Sequence, residues 1–138
     1  MELPAGVYYL GDPMNFLRRD YLEAWAEIEY SEGYYSGFVA FNTASGGGVF
    51  SDNKGAIYEV TTGTIGLVPE SIAIQNHGLE VYGRRIDTKG KVIHISESDG
   101  MITVKIGNRV AYEIDTFLLD DEDAAALLED EIEYRGLL

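Results

Sequence analysis

The 138-residue chain predicts an α+β fold that is mostly antiparallel β. The expected form is a curled sheet, a sandwich or a partly open barrel, with one N-terminal helix and a short acidic C-terminal helix. Short runs rich in Val, Ile, Tyr, Phe and Thr recur along the chain, and glycine-marked turns separate them. Only two stretches space their apolar residues by threes and fours, as a helix does. The length suits a single domain that buries one core without staples. A β-rich unit over 1–116, with its helix near 13–31, and an acidic amphipathic helix or tail over 117–138 is the expected division.

Taken in order, Gly6-Val7-Tyr8-Tyr9-Leu10 is a short β-prone run. In Gly11-Asp12-Pro13 the aspartate can cap a helix and the proline can fill its first position. The helix should run to about Glu32, burying Leu17, Tyr21, Trp25 and Ile28, with Gly33 as its C-terminal stop. Phe38 to Pro69 strings β-prone runs around Ser45-Gly46-Gly47-Gly48 and Asp52-Asn53-Lys54-Gly55, and a three-stranded meander is the economical reading. Glu70 to Gln75 reads as a short strand before a break at Asn76-His77-Gly78. Strands are expected over Leu79–Ile86, Lys91–Ser96, Met101–Ile106 and Arg109–Asp115, with turns at Thr88-Lys89-Gly90, Ser98-Asp99-Gly100 and Gly107-Asn108. The tail from Asp120 carries Ala124, Leu127, Leu128 and Ile132 close to one stripe, an apolar edge that would dock on its own sheet, on a second copy or on a basic partner.

The net charge is −14, and residues 120–138 hold eight acids and one arginine. Direct nucleic-acid binding is disfavoured, because it relies on Lys and Arg to displace counterions. A carboxylate-rich surface serves solvation, or presents a decoy to a basic partner. The chain has no cysteine, which excludes disulfides and thiolate metal sites. The N-terminus has no basic region followed by an apolar run, and no stretch approaches a membrane span, so a soluble cytoplasmic protein is expected.

The motifs name no reaction. His77 lies in a turn and His94 on a strand, and neither has the companions of a zinc site. A hydrolase-type alternative would pair His94 with a carboxylate such as Asp87 or Asp99. The glycine loop precedes a strand rather than a helix and carries no lysine at the phosphate-binding offset, so it reads as a hairpin loop. Asp52, Asn53 and Glu59 miss the calcium-loop spacing and read as a solvated turn. No serine sits in a nucleophile elbow. No cofactor, metal or catalytic residue is expected.

The ten tyrosines, with the pairs Tyr8-Tyr9 and Tyr34-Tyr35, suit surfaces that are half apolar and half wet. Neighbours on a strand point to opposite faces, so one of each pair is free for an interface. The expected function is therefore a small acidic binding or accessory protein, an inhibitor or interaction module that meets a protein partner or a second copy. A small-ligand sponge is the alternative. The candidate surface comprises Tyr34, Tyr35, Ser45, Gly46, Gly47, Gly48, Leu127, Leu128 and Ile132.

The order Leu3 to Pro13 with its Gly-Asp-Pro, a tryptophan in the following helix, Phe41-Asn42-Thr43 before a glycine loop, and Gly63-Thr64-Ile65-Gly66-Leu67-Val68-Pro69 resembles a group of small uncharacterised proteins of phages and bacteria. In that group the loop usually reads Gly-Asp-Gly followed by Tyr, and the later turn Val-Asp-Ser-Gly. Here they read Gly46-Gly47-Gly48 before Val49-Phe50, and Val60-Thr61-Thr62-Gly63. Both acidic positions are gone, so the resemblance carries over no site. It covers Leu3 to Pro69 and implies only a provenance in phage or bacterial genomes.

Overall fold

The computed structural model describes residues 1–74 and 78–117. Its elements run β1 (Glu2–Leu3), β2 (Val7–Gly11), a 3₁₀ turn (Pro13–Asn15), α1 (Arg19–Glu27), β3 (Gly33–Tyr35), β4 (Phe38–Asn42), β5 (Gly48–Ser51), β6 (Ile57–Val60), β7 (Thr64–Pro69), 3₁₀ turns at Glu70–Ile72 and Leu79–Tyr82, β8 (Gly83–Asp87), β9 (Ile93–Ser98), β10 (Met101–Ile106) and β11 (Arg109–Asp115). The fold is α+β, mostly antiparallel, with open sheets and one described α-helix, as the strand pattern predicts. The expected C-terminal helix lies outside the described residues.

Three antiparallel sheets form: β3-β4-β7-β2-β8, β1-β9-β10-β11, and the separate hairpin β5-β6. The alternation of side chains decides how they stack. Tyr8, Leu10, Val39, Ile65, Leu67 and Ile86 on one face of the five-stranded sheet share a core with Leu3, Ile93, Ile95, Ile102, Val104 and Ile114 of the four-stranded sheet. Phe50, Tyr58 and Val60 of the hairpin close that core. The opposite face of the five-stranded sheet supplies Tyr9, Phe38, Ala40 and Val68 to a second core with Phe16, Leu17 and Trp25. The five-stranded sheet is thus covered on both faces, which is why Val39-Ala40 and Ile65 to Val68 read as continuous rather than alternating runs.

The expected meander is corrected. β4 pairs with β7, from Val39↔Leu67 to Asn42↔Thr64, and β5-β6 is a hairpin inserted between them. Gly66 permits the pairing, since a Cβ there would lie 1.8 Å from Val39 O. The single helix over 13–31 is also corrected to two pieces. Asp12 caps the 3₁₀ turn through Met14 N (3.0 Å), and Pro13 stands at its start. Leu17 then bridges Ala73 in antiparallel fashion, with Arg18 N donating to Ile72 O (3.0 Å) and Ile74 N to Phe16 O (2.8 Å). This short ladder takes the backbone groups that a continuous helix needs.

α1 ends at Glu27 because Glu29 and Tyr30 both take positive φ, at 59° and 55°. Ile28, expected on the buried face, is 41% exposed, whereas Trp25 is 1% exposed. Trp25 packs edge-on against Tyr30 and Phe38, and its indole N–H donates to Ser31 O (2.9 Å), tying the helix end to the link that follows. The stretch from Glu70 opens with a 3₁₀ turn rather than a strand, and the strand expected from Leu79 begins only at Gly83. The strand expected from Lys91 begins at Ile93 and runs on to Ser98, while Met101–Ile106 and Arg109–Asp115 have the expected bounds.

Candidate binding groove

β3 and β4 form a hairpin whose two-residue turn is Ser36-Gly37, with φ of 49° and 101°. Such turns close on a hydrogen-bonded pair, here Tyr35↔Phe38, so the next pair, Tyr34↔Val39, is not hydrogen-bonded. The N–H and C=O of Tyr34 therefore point away from β4. β3 is the end strand of its sheet, and among the described residues it pairs with β4 alone.

Tyr34 lies opposite Val39 and so shares its face, but it stands beyond the core and is 52% exposed. Its ring forms one wall of an open groove of about 510 Å³. The other walls are the link Pro4 to Gly6, the β2 residues Val7 and Tyr8, and Pro69 at the end of β7 with Glu70 and Ser71 of the 3₁₀ turn after it. The link is fixed rather than slack. Tyr8 Oη donates to Pro4 O (2.7 Å), Gly6 N to Thr88 Oγ1 (2.9 Å), and Thr88 N to Gly6 O (3.0 Å). Burial, with Tyr34 adding to it, pushes the Tyr8 hydroxyl above its ordinary range, so it stays a neutral donor. The groove is walled by prolines, tyrosines and small residues, and its one acid, Glu70, is paired with Arg85 at 3.0 Å.

Tyr35 points to the opposite face, as alternation requires. It packs on Phe38, and its hydroxyl donates to Glu32 O (2.9 Å). There it lines a smaller cavity of about 110 Å³ with Tyr21, Trp25, Ile28 and Phe38, between helix and sheet.

Ser45 to Gly48 lie at the other end of β4 and do not join Tyr34. The loop is anchored: Thr43 Oγ1 donates to Gly46 O, Ala44 N to Thr116 Oγ1 (2.9 Å), and Ser45 Oγ to Phe117 O (3.2 Å). Its neighbour is the Thr61-Thr62-Gly63 turn, which is held by the fully buried Asp12. That carboxylate accepts from Thr61 N (2.8 Å), Thr62 N (2.9 Å), Thr62 Oγ1 (2.9 Å) and Met14 N (3.0 Å). The Gly11-Asp12-Pro13 turn, the glycine loop and the Thr61-Thr62-Gly63 turn thus meet at one end of the sheet, around a carboxylate whose oxygens are both engaged. Leu127, Leu128 and Ile132 lie outside the described residues.

Asp52 corrects the expectation of a solvated turn. Its side chain is buried and accepts from Tyr58 Oη (2.7 Å), Lys54 N (2.8 Å), Ala56 N (3.1 Å) and both Nε and Nη2 of Arg84. Burial pushes the carboxyl up, but the bonds from Arg84, Tyr58, Lys54 and Ala56 together outweigh it and hold the group at about 2. The same bond pushes the Arg84 guanidinium further up, and burial together with Asp52 pushes the Tyr58 hydroxyl up. Arg84 also stacks 4.4 Å from the centre of the Tyr112 ring. This network joins the hairpin to both sheets, and its acceptors are filled by the protein.

His94 Nε2 lies 3.4 Å from the Met1 amine, and its Nδ1 is buried without a partner among the described residues. Asp99 sits in the turn at the far end of β9. His77 lies outside the described residues. No group of three or more His, Cys, Asp or Glu among the described residues is placed to hold a metal ion. No described helix is long and apolar enough to cross a membrane. No known family, curated protein or solved structure matches the chain.

The sequence singled out Tyr34 by its pairing with Tyr35, but not the opposing wall. Pro4, Tyr8, Pro69 and Ser71 come from distant stretches, and only the register Tyr8↔Pro69 brings them together.

Proposed function

We propose that this protein is a non-enzymatic binding or accessory protein that acts by protein contact through the groove beside Tyr34. The observation that carries it is the coincidence, at one place, of a half-exposed tyrosine, a proline-walled groove and a strand edge with no described neighbour. Rigid amphipathic rings and backbone groups held ready for a partner give affinity at small ordering cost. With the resemblance of Leu3–Pro69 to phage and bacterial proteins, the reading extends to an inhibitor or interaction module of such a genome, working in the cytoplasm.

The test is affinity capture with the wild type and with Tyr34→Ala, a surface change expected to leave the unfolding temperature within about 2 °C. A stoichiometric protein retained by the wild type and lost by Tyr34→Ala supports the reading. A partner retained equally by both contradicts it.

The cavity between Trp25, Tyr35 and Phe38 favours the small-ligand alternative, since aromatic walls between helix and sheet are what such a site needs. Its volume of about 110 Å³ falls below the roughly 300–1,000 Å³ of ligand pockets, which makes it the weaker of the two readings.

A further inference from the structure

We infer that the edge of β3 is a strand-addition site, taking an extended peptide segment that carries Lys or Arg and joins the five-stranded sheet as a sixth strand. This rests on the groove beside Tyr34 as the binding surface and specifies how, and with what chemistry, it is used. The Ser36-Gly37 turn fixes the pairing phase, so the amide and carbonyl of Tyr34 form one outward donor–acceptor pair at the centre of β3. A strand laid along this edge completes both bonds, and its alternate side chains fall on the Tyr34 side, over the apolar walls at Pro4, Val7 and Pro69.

The charge around the edge selects the sign of the partner. From Glu27 to Asn42 the chain has three glutamates and no lysine or arginine. Glu27, Glu29 and Glu32 are all exposed. Glu32 gives one oxygen to Asn42 N (2.9 Å), bracing the β3–β4 pair. Pairing two copies of this edge would bring these like charges together, whereas a cationic strand neutralises them.

The edge on β11 is answered within the chain itself. Asn53 N donates to Glu113 O (3.1 Å), and Glu113 N to Asn53 Oδ1 (3.0 Å), so the inserted hairpin caps it. The β3 edge has no such cover among the described residues, and an uncovered edge is a template for another strand.

The test pans a library of random displayed peptides against the full chain and compares binding to wild type, Tyr34→Thr and Tyr34→Pro. Threonine keeps the outward N–H and removes the ring; proline removes both, at a position where an edge strand tolerates it. Enriched peptides are expected to alternate apolar residues with Lys or Arg and to bind at least tenfold more weakly at 500 mM than at 50 mM salt. They should bind Tyr34→Pro about tenfold more weakly than Tyr34→Thr. Where Tyr34→Pro fails to fold, a synthetic peptide N-methylated at its central residue supplies the same loss from the partner's side. Peptides that lose affinity equally with Thr and Pro leave the groove reading standing and overturn strand addition. Acidic peptides, no enrichment, or a doubled mass in light scattering that Tyr34→Pro abolishes overturn the proposal, and binding indifferent to both variants overturns the groove reading as well.

Discussion

Trp25 and Asp52 show how single residues hold this fold in different ways. Trp25 fills the core between α1 and the sheet, so Trp25→Ala should cost about 3–5 kcal/mol in urea unfolding. An unchanged midpoint would put the ring at the surface. Asp52 works by charge. Its folded carboxyl titrates near 2, below the ordinary 3.8, so its contribution is present above about pH 4 and is lost as the pH falls through 2. Unfolding midpoints followed from pH 6 to pH 2 should drop for the wild type and drop less for Asp52→Asn, which starts less stable. Equal slopes would show that Asp52 titrates normally. Trp25 was legible in the sequence because its neighbours repeat at helical spacing. The role of Asp52 was not, because Asp52-Asn53-Lys54-Gly55 has the composition of any exposed turn and its partner Arg84 lies 32 residues away.

At the level of elements, glycines separate what the turns need from what the sheet needs. Gly46 takes φ of 76°, with nothing within 4 Å of where a Cβ would stand, so Gly46→Ala should cost only the strain of a left-handed residue, about 1 kcal/mol. Gly66 sits inside β7, where a Cβ would collide with Val39 O, so Gly66→Ala should break the β4–β7 pairing and cost several times more. Thermal unfolding of the two variants ranks them, and a Gly46→Ala variant worse than Gly66→Ala would contradict the pairing. The strands after Gly90 were readable because they alternate and are joined by short glycine turns. The insertion of β5-β6 between β4 and β7 was not, because a hairpin and a meander share the same local pattern and differ only in which strands pair. The helix was overdrawn for a related reason: Leu17 fits a helical stripe with Tyr21 and Trp25, and only the bonds of Arg18 to Ile72 and of Ile74 to Phe16 reveal the ladder.

For the whole molecule, a five-stranded sheet covered on both faces leaves outward backbone groups at its edges, and the edge at β3 is where backbone, ring and charge coincide. The most direct measurement is amide hydrogen exchange at β3 in the full chain, free and with a bound peptide. The amides of Gly33 and Tyr35 are paired with β4 and should exchange slowly in both states. The amide of Tyr34, pointing outward, should exchange rapidly in the free protein and slow by at least tenfold when the peptide binds. A Tyr34 amide already protected in the free protein, or one left fast by a tightly bound peptide, would contradict the account.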